Sequence, residues 1–153
     1  MKGIGIFVAL LLTGLGVATY LVTRPPDREL DAEGRAWVNQ YEAWAAKTER
    51  QVTRARVEMN FSSEARNADL IEPLQNCAYS LALLGPPPAV LDSVAEAANA
   101  ACGRAEFAVQ ANEQFGIASL ATTKLHLGEA EDRLTLSRRN LRVSLGESDA
   151  ASG

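Results

Sequence analysis

The sequence predicts an all-α protein, with an N-terminal transmembrane helix followed by an antiparallel bundle of three to four helices. Three observations carry this expectation. Ile4 to Val22 contains no charged residue, and at about 1.5 Å per residue it is just long enough to cross roughly 30 Å of hydrocarbon. Ala is the commonest residue while Val, Ile and aromatics are sparse, a balance that favours helix over sheet. Beyond the apolar stretch, large residues recur at steps of three, four and seven, the spacing of one helix face. The expected division is a signal-anchor helix over 1–23, a helical bundle over 24–145 and a disordered tail over 146–153.

The first segment reads as an anchor that stays in place. A removable export signal has a shorter apolar run and small residues at its cleavage point. Cutting after Gly16-Val17-Ala18 would leave Tyr20, Leu21 and Val22 near a new N-terminus. Lys2 precedes the stretch and Arg24, Arg28 and Arg35 follow it, so the positive-inside rule leans toward a cytoplasmic C-terminus. The short basic N-terminal flank and the cysteine pair argue the other way, and we expect a single-pass plasma-membrane protein whose C-terminal domain is extracytoplasmic. Gly5, Ala9 and Thr13 recur every four residues, a pattern that lets another membrane helix approach closely. The same residues also occur as ordinary fillers of a lipid-exposed helix.

Arg24-Pro25-Pro26 forms a stiff, extended exit, because proline fixes φ and disfavours helix in the residue before it. Asp27 to Met59 then reads as one long helix, with Leu30, Trp37, Tyr41, Trp44, Thr48, Val52, Ala55 and Met59 on one stripe. Trp37, Tyr41 and Trp44 have two readings: packing in a core, or an exposed aromatic docking interface. Asn60-Phe61-Ser62-Ser63 interrupts the pattern, and Glu72-Pro73 interrupts it again, since Pro73 fits a first turn but not a helix interior. A second helix is expected from Pro73 to Leu84, with Leu74, Cys77, Ala78, Leu81 and Leu84 apolar and Gly85 as its stop. After Pro86-Pro87-Pro88, a third helix carries Leu91, Val94, Ala98, Ala101, Ala105 and Ala108 and runs to about Glu113.

The fourth helix, after Gly116, has the most regular pattern. Leu120, Leu127, Leu134 and Leu141 are spaced by seven, and Thr123, Ala130, Ser137 and Ser144 fill the other seam position. Small residues there suit close packing inside an antiparallel bundle; a parallel coiled-coil dimer would want branched apolar side chains.

Cys77 and Cys102 are the two cysteines. An even count in an exported domain suggests one disulfide, and two buried free thiols is the other reading. Register argues against the bridge: with a bend near Pro87, Cys77 faces about residue 97, an offset of roughly 7.5 Å along the helix. Bridging therefore needs an extended or asymmetric turn.

The composition excludes several kinds of work. A net charge of −4 disfavours sequence-independent binding to a phosphate backbone, so no nucleic-acid partner is expected. His126 is the one histidine, which rules out a di-metal bundle built on two Glu-x-x-His motifs and a zinc site needing two imidazoles. His126 with Glu129 reads as an exposed helix pair. Arg133, Arg138, Arg139 and Arg142 complement the last helix's macrodipole as a solvated face. No nucleophile elbow, phosphate loop or dinucleotide fingerprint appears. We expect no catalytic residue, cofactor or metal.

The stretch LIEPLQNCAYSLALLGPPPAVLDSVAEAANAAC, residues 70–102, resembles small exported or membrane-anchored helical proteins of actinobacteria, in which Cys, an apolar helix, a Pro-rich turn and a second Cys recur. The resemblance implies an extracytoplasmic helical domain with a disulfide, and transfers no catalytic residue. The function expected is that of an interaction module, an accessory or scaffold subunit of a cell-envelope membrane complex. The alternative is a helical module holding a small apolar ligand, which would need a cavity of several hundred Å³ lined by Trp37, Tyr41 and Trp44.

Overall fold

The computed structural model describes residues 30–114 and 117–147. Its elements are α1 (Ala32–Glu58), α2 (Glu64–Ile71), a 3₁₀ turn (Glu72–Leu74), α3 (Cys77–Ala82), a second 3₁₀ turn (Ala89–Leu91), α4 (Asp92–Asn112) and α5 (Ile117–Ser144). Among the described residues there is no strand, and no helix is long and apolar enough to cross a membrane. Ile4–Val22, with Gly5, Ala9 and Thr13, lies outside the described residues.

The expected stripe of α1 is the buried one, from Trp37 through Tyr41, Trp44, Thr48, Val52 and Ala55 to Met59. The helix begins at Ala32, later than the periodicity suggests, because the Asp31 carboxylate accepts the Gly34 N–H at 2.7 Å. That cap satisfies one of the free N–H groups of the first turn. Gly34 packs closely here: a Cβ would stand 3.1 Å from Leu30 Cδ2 and 3.2 Å from Asp31 Oδ1, so those side chains would have to give by a few tenths of an ångström.

The second leg of the bundle differs from the single helix expected over 73–84. It is broken into α2, the 3₁₀ turn at Pro73 and the six-residue α3. Ser63 caps α2 by accepting the Arg66 N–H. Asn67, itself buried, accepts the Asn60 N–H at 3.1 Å and donates to the Asn60 carbonyl at 2.7 Å. This two-way clamp fixes the turn after α1, and Arg54 and Arg66 both pair with Glu58 beside it. The hydrogen bond from Arg66, and then the neighbouring Arg54, hold the Glu58 carboxyl below its usual range.

Gly85 ends the leg with φ +77°, a conformation costly for any residue carrying a Cβ. Its carbonyl accepts the Trp37 indole N–H at 3.3 Å, while Trp44 donates to Ser80 Oγ at 3.0 Å. These two bonds show α3 running antiparallel to α1.

Helices α4 and α5 form the most extensive helix–helix contact. Val94, Ala98, Ala101, Ala105 and Ala108 of α4 are buried, as are Leu120, Thr123, Leu127, Ala130, Leu134, Ser137 and Leu141 of α5. The heptad seam is therefore consumed inside the chain, with alanines opposite leucines. Alternating large and small side chains fill such an interface at interior density. Gly146, at φ +79°, closes α5, and the Glu147 N–H bonds back to the Arg142 carbonyl. Gly146 and Glu147 thus belong to the helix cap, and the remainder of the expected tail lies outside the described residues.

Candidate functional site

The aromatic row of α1 is interior. Trp37, Tyr41 and Trp44 are 6%, 0% and 8% exposed, and Trp37 stacks on Tyr41 at 5.2 Å between centroids. Of the two readings of these rings, packing in the core describes their place in the domain. A cleft of about 390 Å³ touches Tyr41 and neither tryptophan, and one of about 250 Å³ touches Trp44 alone of the three.

Tyr41 enters a buried polar chain. Ser137 Oγ donates to the Val94 carbonyl at 2.6 Å. With its one proton committed there, it accepts from the Tyr41 hydroxyl at 2.5 Å. The chain joins α1, α5 and α4 at one level. Burial, ahead of the opposing hydrogen bond from Ser137 and the nearby Arg138 charge, pushes the Tyr41 phenol above its ordinary value of 10.0. The sign follows from linkage. The unfolded chain releases this proton first, so the contribution of Tyr41 is complete below pH 10 and is lost as pH rises through the native value. Urea midpoints measured from pH 8 to 11 should therefore fall above pH 10, and Tyr41→Phe should flatten that fall. An unchanged alkaline slope in the variant would remove Tyr41 as its cause.

Cys77 and Cys102 are joined, with Cα atoms 5.2 Å apart. The register objection is answered by an asymmetric turn. α3 stops at Ala82, residues 83–88 leave the helix, and α4 begins only at Asp92 after a 3₁₀ turn. The bend is thus centred near Val90, beyond Pro87, which brings Cys102 level with Cys77.

His126 and Glu129 make a half-buried junction between helices. His126 Nδ1 lies 3.0 Å from Glu129 Oε2, which also pairs with Arg104 at 3.1 Å. The imidazole packs on Phe107 at 5.7 Å, and the Arg104 guanidinium lies 5.9 Å from the same ring. The four residues staple α4 to α5. Arg138 bonds Glu49 at 2.6 Å, tying α5 to α1. Among the described residues, no three His, Cys, Asp or Glu side chains stand together as a metal site requires. None of these clusters pairs an activated nucleophile with a base.

Large apolar side chains open to a partner lie along the helices, as Val57, Phe107 and Leu125 do, and at the ends of the bundle. At the end formed by the turn after α1 and the start of α5, Phe61 and Ile117 are 69% and 75% exposed. Both line a cleft of about 320 Å³ with Asn60, Asn67, Asn112 and Gln114. Apolar side chains beside carboxamides can hold a polypeptide by contact and by hydrogen bonds to its main chain. The periodic pattern missed these residues because they lie at helix ends, where a large apolar side chain has no face to be assigned to. The available signal was Phe61 standing in a four-residue interruption of otherwise polar character. Comparison with family models, with curated proteins and with solved structures finds no match.

Proposed function

We propose that the chain is a membrane-anchored, extracytoplasmic helical interaction module that serves as an accessory or scaffold subunit of a cell-envelope membrane complex. The observation that carries the contact reading is the exposed pair Phe61 and Ile117, beside a cleft lined with amides, on a domain whose buried polar side chains are otherwise satisfied among the described residues. α1 spans about 40 Å from its start to this end, so the contact end stands well away from the point where the chain enters the domain. The Cys77–Cys102 bridge supports an oxidising compartment, because disulfides persist there and are rare in reducing cytosol. The apolar run Ile4–Val22 supports the anchor, and Gly5, Ala9 and Thr13 offer a second contact face within the bilayer.

Copurification in mild detergent tests the reading. Full-length protein carrying Phe61→Asp with Ile117→Asp, or Gly5→Leu with Ala9→Leu, should bind its partner about tenfold more weakly for each 1.4 kcal/mol of binding free energy removed, and recover correspondingly less of it. The helical circular dichroism should remain that of the parent. If both variants retain every partner at parental yield, contact through these faces is not how the protein works.

A further inference from the structure

Between Glu72 and Asp92 the chain carries no charge, on a protein in which 22% of residues are charged. Part of this stretch is core: Leu74, Cys77, Leu81 and Leu91 are buried. Ala78 and Leu84 are partly buried against it, and much of the remainder faces outward. Tyr79 and Leu83 are each 67% exposed and Val90 is 48% exposed, and Ala82, Gly85, Pro86 and Ala89 are exposed around them. An uncharged surface with large apolar residues, gathered around one turn, is the kind that lies against another apolar phase.

Its place in the fold says which phase. Trp37 bonds the Gly85 carbonyl, and Trp37 is about two helical turns, or roughly 10 Å, from Leu30, where the described chain begins. Ser137 of α5 bonds the Val94 carbonyl and Asn140 bonds the Ser93 carbonyl, so the C-terminal end of α5 shares this end of the bundle. The Pro-rich turn and the chain's entry are therefore neighbours. The apolar run ends at Val22, and the intervening chain reaches Leu30 across at most about 28 Å even when fully extended. Ile117 starts α5, about 30 Å back along the helix from Ser137, at the opposite end.

We propose that the turn from Tyr79 to Val90 is a second membrane contact, in which Leu83, Pro86 and Val90 rest in the interfacial layer of the same bilayer that holds Ile4–Val22. Tyr79 suits headgroup depth, where an aromatic body meets the apolar layer and its hydroxyl stays wet. The missing charge specifies the lipid chemistry: the contact is apolar, forms on zwitterionic bilayers, and does not depend on salt as a basic patch would. Its consequence is orientation. With both contacts made, the domain stands upright and the Phe61–Ile117 end points away from the membrane. The inference rests on the anchored reading above.

Full-length protein is reconstituted into phosphatidylcholine vesicles with and without brominated acyl chains, as Leu83→Trp and, separately, as Ile117→Trp. Both sites are exposed, so neither change disturbs the core, and each emission is read against the parent protein with its buried Trp37 and Trp44. Flotation of the vesicles reports the anchor independently. The proposal expects flotation together with loss of the added emission of Leu83→Trp in brominated lipid, as for an indole at the interface, and no added loss for Ile117→Trp. Flotation with Leu83→Trp unquenched leaves the anchor standing and overturns the membrane contact of the turn, which then faces water or protein. Equal quenching of both variants also overturns it, since the domain would lie on its side. Failure to float overturns the anchor and the proposal together.

Discussion

Leu127→Ala is expected to destabilise the domain by about 2 to 5 kcal/mol, while Leu125→Ala, two residues away, should change it by no more than about 0.5 kcal/mol. Leu127 is fully buried on the α5 seam and Leu125 is 61% exposed on the opposite face. Leu127 lies in the buried seam that α5 presents against the alanine face of α4. Alanine side chains cannot swing in to fill the volume left behind, so truncation leaves a cavity as well as losing apolar burial. Urea unfolding followed by circular dichroism separates the two variants. Equal effects at 125 and 127 would mean that the seam is not packed as described.

Removing the Cys77–Cys102 bridge, by reduction or as Cys77→Ala with Cys102→Ala, should cost about 3 kcal/mol for a loop of this length. The two cysteines are 25 residues apart. The loss should be felt first in α3, which has six residues and is too short to be stable by itself. Trp44 reports on this directly, because its indole N–H bonds Ser80 of α3. Reduction should therefore shift tryptophan emission to longer wavelength before the main unfolding transition. A melting curve indifferent to reductant would show that packing alone holds the second leg.

The long helices were legible because their patterns run uninterrupted. The seven-residue steps of α5 and the aromatic stripe of α1 assign a buried face without reference to any neighbour, and the structure buries those faces. The cysteine pairing was suggested by count and opposed by register. The residue at the centre of a turn depends on where each helix stops, and the 3₁₀ turn at Ala89–Leu91 moves that centre beyond Pro87. The second leg was legible in part: Pro73 marked its break, but not the helix α2 ahead of it. Asn67 occupies a buried position that periodicity reserves for apolar residues, and only its reciprocal bonds with Asn60 explain its presence there. The exposed Phe61, Ile117 and Leu83 were hidden by the same limit, since exposure at a helix end depends on what the rest of the chain places beside it.

A bridged domain joined to an anchor that remains attached is the central claim. Mass spectrometry of unreduced material extracted from native membranes tests both parts at once. The expected result is a peptide linking Cys77 to Cys102 and a mature chain beginning at Met1 or Lys2. A chain beginning at Thr19, or two thiols that alkylate freely without reductant, would contradict it.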